Sequence, residues 1–216
     1  MSTPTEPLSE PRSTPSAASA GGIEESHVPH VDPGPAAESV RELQQAARRS
    51  SRRLPKPVAL AAFVAPVVAT AVIGSRFGPR GSTGRWYDGL RKPPFQPPAE
   101  VFAPVWTALY ASIAWSGYRV YVAPDHPARR PALALWAAQL AANAAWTPTF
   151  FGAREPRAAL AVLGTQLATT IGYTAAAGKV DGPAAALMAP YLAWSGFAGA
   201  LNEEIVRLNP GVGEIA

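Results

Sequence analysis

Five stretches of this chain contain no Asp, Glu, Lys or Arg: residues 58–75, 101–118, 131–153, 158–178 and 182–202. Each is close to the ~20 residues that an α-helix needs to cross a bilayer. Helices of a soluble bundle keep a charged stripe toward water, and these windows hold no residues to make one. One charge-free window would fit a buried core helix; five in succession do not. The chain is only 16% charged, against about 25% for an ordinary soluble domain, and its charges lie before and between the windows. In lipid, a backbone must satisfy its own polar groups, so such windows are expected to be helical. The predicted architecture is an all-α integral membrane protein, a five-transmembrane-helix bundle with a disordered N-terminal extension.

Residues 1–56 read as that polar extension, 57–209 as the bundle and 210–216 as a short tail. The first 40 or so residues have almost no large apolar side chains. They cannot offset the conformational entropy of ordering, so disorder is expected. No apolar run follows Met1, so the segment does not read as a signal peptide. Residues 38–56 are helix-permissive and end with Arg48, Arg49, Arg52, Arg53 and Lys56, which suits a short helix lying on anionic lipid. A basic cluster directly before the first span places the N-terminus in the cytoplasm. Arg76, Arg80, Arg85, Arg91 and Lys92 in the next loop dilute that signal. The spans are expected over 58–75, 102–122, 131–151, 158–178 and 184–208. The net charge of +4 then concerns orientation and headgroups, with no nucleic acid implied. The alanine-rich helices can approach closely, as bundles do in lipid. No internal repeat of the transporter kind is present.

The connector RWYDGLRKPPFQPPAEVFAPVWTALY, residues 85–110, is the most constrained stretch. Prolines 93, 94, 97, 98 and 104 fix φ and remove donors, so most of it is not expected to be regular helix. Disordered loops are poor in aromatics, yet this one has Trp86, Tyr87, Phe95, Phe102 and Trp106. It reads as an ordered lid running into a helix.

Within the windows, polar and aromatic residues fall on helical stripes. These are Trp106, Tyr110, Ile113 and Gly117; Gln139, Asn143, Trp146 and Phe150; Gln166, Thr169, Thr170 and Tyr173; and Tyr191, Trp194, Ala198 and Asn202. Singly, each residue fits interhelical packing with a few hydrogen bonds. Together, three stripes with a tryptophan each, below an aromatic lid, suit an apolar pocket with few polar anchors. A flat π-rich ligand would stack on Trp106, Trp146 or Trp194, and Arg91 or Lys92 could meet its carboxylates. With no cysteine, disulfides and thiolate chemistry are ruled out. The histidines are His27, His30 and His126, none within a span, so a haem ligand of the usual kind, a metal site and a required cofactor are not expected. No phosphate loop or nucleophile elbow is present.

Three motifs resemble one family. WYDGLRKPPFQPP with PVWTALY, NAAWTPTFFG, and PYLAWSGFAGALN are similar, in order and spacing, to signatures of the TspO/MBR family of tryptophan-rich sensory proteins and mitochondrial translocator proteins. The resemblance covers about residues 58–209. It implies a five-helix bundle, often a homodimer, that binds porphyrin or haem as a ligand and, in some members, sterols. By motif position, Tyr87, Pro97 and Pro98 would belong to the lid. Trp106, Asn143, Trp146, Phe150, Trp194 and Ala198 would line the pocket, with Tyr110 on the same stripe as Trp106. Some bacterial members are said to degrade protoporphyrin oxidatively in light, which would make Trp106 and Trp194 the catalytic pair. Transport of porphyrins or other small hydrophobic molecules is the remaining alternative. Two departures stand out. Glu100 follows the lid where the family usually has a bulky apolar residue, and Glu203 stands where a tyrosine belongs to a sterol-contact pattern. The first would repel propionates, and the second argues against sterol binding.

Overall fold

A computed structural model describes residue 34 and residues 38–44 and 54–212. The expected disorder of the first residues and the basic segment 48–53 lie outside the described residues. The chain divides into two units, residues 1–50 and 51–216. In the first, residues 38–44 form helix α1, exposed along its whole length.

The second unit contains α2 (Lys56–Phe77), α3 (Gly81–Asp88), α4 (Ala99–Val122), α5 (Arg129–Thr147), a π-helical turn (Pro148–Gly152), α6 (Pro156–Gly178), α7 (Gly182–Ala186) and α8 (Ala189–Leu208). Helix is the only regular structure among the described residues. The 22 residues of α2 and the 24 of α4 extend about 33 and 36 Å at 1.5 Å per residue. Two stretches, Lys56–Phe77 and Gly182–Leu208, are long and apolar enough to cross a membrane by length and composition. Helices α4, α5 and α6 are long enough but are diluted by small, hydroxyl and aromatic side chains.

Prolines set the boundaries. They stand in the first turn of α2, α6 and α8, where a missing N–H costs nothing. Three outcomes differ from the expected spans. First, the connector holds a helix, α3, ahead of its prolines, and α4 starts at Ala99, with Pro104 inside it as the expected span 102–122 had it. The carbonyl that Pro104 frees is that of Glu100, exposed in the helix's first turn, so water can satisfy it. Second, the third span does not stay α-helical. Pro148 has no N–H to continue the ladder, and Ala153 N–H reaches the Pro148 carbonyl at 2.8 Å. Single π turns of this kind are frequent at functional sites; this one turns both Phe150 and Phe151 inward. Third, the last span is broken. Leu187 and Met188 separate α7 from α8, and Pro190 follows in the first turn of α8.

Around the bundle, α2 packs on α4 and α5, α5 on α6, α6 on α8, and α7 on α4 and α6; the backbones of α4 and α8 stay largely apart. Gly117 on α4 allows the tightest approach. A Cβ there would lie 2.6 Å from Trp136 Nε1 and 2.7 Å from the Phe63 ring. The outward faces are apolar: Val64, Val68 and Val72 run along α2, with Trp115 on α4 and Ile171 on α6, all exposed. Exposed large apolar side chains in this number suit contact with lipid or partners.

Candidate functional site: an aromatic cage under a clamped connector

Large rings fill the gap between α4 and α8. Trp106 lies 5.2 Å from Tyr110, 6.4 Å from Tyr191 and 6.4 Å from Trp194, the two indoles crossing at 86°. Phe102 packs edge-on to Trp194 at 5.7 Å. Apart from the tilted Trp106–Tyr110 pair, these are the edge-to-face arrangements that aromatic quadrupoles favour. Trp106, Tyr110 and Trp194 are half-buried and Tyr191 is buried.

A hydrogen-bonded chain joins the helices behind these rings. Tyr110 donates to Asn143 Oδ1 at 3.2 Å, and Asn143 Nδ2 donates to the Tyr191 hydroxyl at 2.8 Å. Gln166 Nε2 donates to the same hydroxyl at 2.8 Å and to Ser195 Oγ at 3.1 Å. Buried polar groups in an apolar bundle must find partners, and here one network ties α4, α5, α6 and α8. Gln139, one turn before Asn143, is the exception. It is 0% exposed, and neither atom of its amide has a partner among the described residues.

A second aromatic group lies toward the connector. Trp146 stacks on Phe150 at 5.1 Å, donates to Asn202 Oδ1 at 3.1 Å, and so connects to α6 through the Asn202 Nδ2 bond to the Pro156 carbonyl. Tyr87 packs on Phe150 and Phe151 at 6.2 and 5.3 Å. Ala198, half-buried, lies one turn from both Trp194 and Asn202 on α8.

The connector is fastened at several points. The Tyr87 hydroxyl donates to Gln96 Oε1 at 3.1 Å. Burial pushes its pKa above the ordinary phenol value; the Gln96 bond pulls it back, and the Asp88 charge raises it further. Asn209, at the C-terminus of α8, bonds both the N–H and the carbonyl of Arg91 at 2.9 Å each. The Lys92 ammonium lies 4.7 Å over the Tyr87 ring and donates to the Asp88 and Leu90 carbonyls, which leaves one of its three donors. Arg91, Pro98 and Glu100 are exposed and Pro97 is half-buried, with Pro98 preceding the first residue of α4.

The expected site residues thus fall into two adjoining groups: Trp106, Tyr110, Asn143 and Trp194, and Tyr87, Trp146, Phe150 and Ala198. Pro97 and Pro98 stand at the connector's end. Sequence reading missed Ser195, Gln96 and Asn209. Ser195 lies one turn from Tyr191, which was a usable signal. Gln96 and Asn209 act across the chain and leave no local pattern. No group of His, Cys, Asp and Glu suited to a metal occurs among the described residues. The arrangement offers flat apolar faces and a few neutral hydrogen-bonding groups.

Comparison with known proteins gives a consistent result. The chain is 38% identical over 147 residues to the tryptophan-rich sensory protein of Cereibacter sphaeroides, covering 68% of this chain and 89% of that protein. It is 38% identical over 152 residues to the translocator protein homolog of Schizosaccharomyces pombe, covering 68% and 90%. It is 41% identical over 129 residues to the bovine translocator protein, covering 57% and 74%. The TspO/MBR family model matches residues 62–208, a stretch that holds every side chain of both aromatic groups. The chain belongs to the TspO/MBR family.

Proposed function

We propose that this chain is a membrane-embedded tetrapyrrole-binding protein with a sensory or regulatory role. In this reading five helical segments (α2, α4, α5, α6 and α7–α8) cross the bilayer, the N-terminus lies in the cytoplasm, and two copies associate as a homodimer. One observation carries the ligand class. The indoles of Trp106 and Trp194 meet edge to face at 6.4 Å, and neither N–H has a partner among the described residues. Flat aromatic walls with unspent donors suit a planar, apolar ring system with polar edges. The names of the relatives, sensory and translocator, agree with a ligand-responsive role. The test is titration with protoporphyrin, read as quenching of tryptophan fluorescence and as a shift in porphyrin absorbance. Saturable binding is expected, weakened at least about tenfold, or ~1.4 kcal/mol, in the double variant Trp106→Ala, Trp194→Ala. Wild-type affinity in that variant overturns the proposal.

The contact between Trp106 and Trp194 also favours a second reading, oxidative breakdown of a bound porphyrin with light and dioxygen as co-reactants. Product should then form only when both are supplied, and more slowly when either tryptophan is replaced by Phe. Porphyrin loss at the same rate in protein-free detergent overturns it.

A further inference from the structure

A concave feature lies at the end of the bundle away from the connector. It is a groove of about 450 Å³ between α4 and the α7–α8 break, lined by Ser112, Trp115, Arg119, Pro183, Leu187 and Pro190, with Ala186 at its wall. It exists because the last span is interrupted: α7 stops at Ala186, α8 restarts at Ala189, and the prolines on either side present no N–H to close the gap.

The groove is apolar except at one end. There the Arg119 guanidinium is held by Asp181, Nε to Oδ1 and Nη2 to Oδ2, both at 3.0 Å. Asp181 also accepts from Ala184 N–H at 2.7 Å. This two-point grip fixes the plane of the guanidinium and leaves Nη1 without a partner among the described residues. The Arg119 side chain is 34% exposed. Lys179, two residues before Asp181, is exposed, so the turn that presents Asp181 brings a second cation beside the Arg119–Asp181 pair. Trp115 is 45% exposed and packs on Tyr118 at 5.3 Å. Tryptophan and tyrosine beside an arginine near a helix end are the residues that settle at headgroup depth. By contrast, the exposed valine row of α2 offers lipid no charge and no concavity.

We propose that this groove binds an anionic phospholipid, with an acyl chain along Trp115, Leu187 and Pro190 and the phosphate on Arg119. The site is separate from the aromatic cage and rests only on the bundle lying in a membrane. A zwitterionic lipid would bring its own cation beside Arg119 and the nearby Lys179, so the groove should select by charge as well as by shape.

The full chain, purified and delipidated in detergent, is melted with phosphatidylglycerol, with phosphatidylcholine and with inorganic phosphate. Phosphatidylglycerol is expected to raise Tm by about 4 °C or more above phosphatidylcholine, and inorganic phosphate to leave it unchanged. Ala186→Phe fills the groove without touching the ion pair, and Lys179→Glu reverses the charge balance without touching the packing. Each should abolish the phosphatidylglycerol increment while protoporphyrin binding stays at its wild-type level. Equal increments from the two lipids, an equal increment from inorganic phosphate, or an increment that survives in either variant would each overturn the proposal.

Discussion

The two tryptophans of α5 and the two that meet edge to face between α4 and α8 share a residue type and little else. Trp136 is 6% exposed, gives its N–H to the Ile113 carbonyl at 2.9 Å, and packs edge-on to Phe63 at 5.0 Å. Trp146 gives its N–H to Asn202. Trp136 is a bolt, with face and donor committed to the protein; Trp146, expected to line the pocket, has its donor committed in the same way. Trp106 and Trp194 have committed their edges to each other and to Phe102, Tyr110 and Tyr191, but not their donors. A tryptophan-rich composition therefore does not by itself announce a binding site. What separates these two pairs is whether the indole N–H already has an acceptor.

Variants can break or sharpen this contrast. Trp136→Ala should have the largest effect on stability, about 3–5 kcal/mol as for other large core truncations, read as a lowered Tm, with porphyrin affinity retained in whatever stays folded. Gly117→Ala should follow at about 1–3 kcal/mol, because the new methyl meets the Trp136 and Phe63 rings at under 3 Å; an unchanged Tm would show that the bolt region can give way. The double variant Trp106→Ala, Trp194→Ala should reverse the pattern, losing about tenfold or more in porphyrin affinity with a smaller Tm shift than Trp136→Ala. Equal losses of stability for both sets would erase the distinction.

The smallest expected effect is electrostatic. The Arg119 hydrogen bonds hold the Asp181 carboxyl below its ordinary pKa; partial burial opposes this, while the Ala184 N–H and the Arg119 charge add to it. A lowered folded value means a contribution that is present above the unfolded pKa and lost as pH falls through the folded one. Asp181→Asn should therefore cost on the order of 1 kcal/mol near neutrality, scaled down because the pair is partly exposed. Its gap to the wild type should begin to close near pH 4, about where a free aspartate titrates. A gap that is constant with pH would assign the cost to the lost cap of α7 alone.

Much of the bundle was legible in the sequence because lipid imposes a simple rule: charge-free stretches become helices. Each of the five windows falls on helix or its immediate ends, and the stripes at four- and three-residue spacing do turn Ile113, Gly117, Gln139, Asn143, Phe150, Gln166, Thr170, Tyr173, Tyr191 and Asn202 inward. The breaks were not legible. Pro148 and Pro190 look alike in sequence, yet one shifts the ladder into a π turn while the other follows a break between two helices; the outcome depends on the neighbours each helix packs against. Nor were the long-range acceptors visible. The Ser116 hydroxyl donates to the Ala184 carbonyl at 2.7 Å and lies 2.6 Å from the Tyr173 hydroxyl, a junction of three helices that no local pattern encodes. The roles of Trp136 and Trp146 likewise depend on acceptors supplied by Ile113 and Asn202.

The side-chain amide that grips both main-chain groups of Arg91 belongs to a single residue, Asn209. One end of the connector runs directly into α4 and cannot part from it, so this residue is the latch on a door hinged at the other edge. A guest arriving from that side would have to spring the latch before reaching the indoles, whereas one already inside would scarcely sense it. For the proposed ligand, Asn209→Ala should then quicken both entry and escape while leaving the final occupancy almost unaltered, so that the speed of exchange is set some distance away from the tightness of hold.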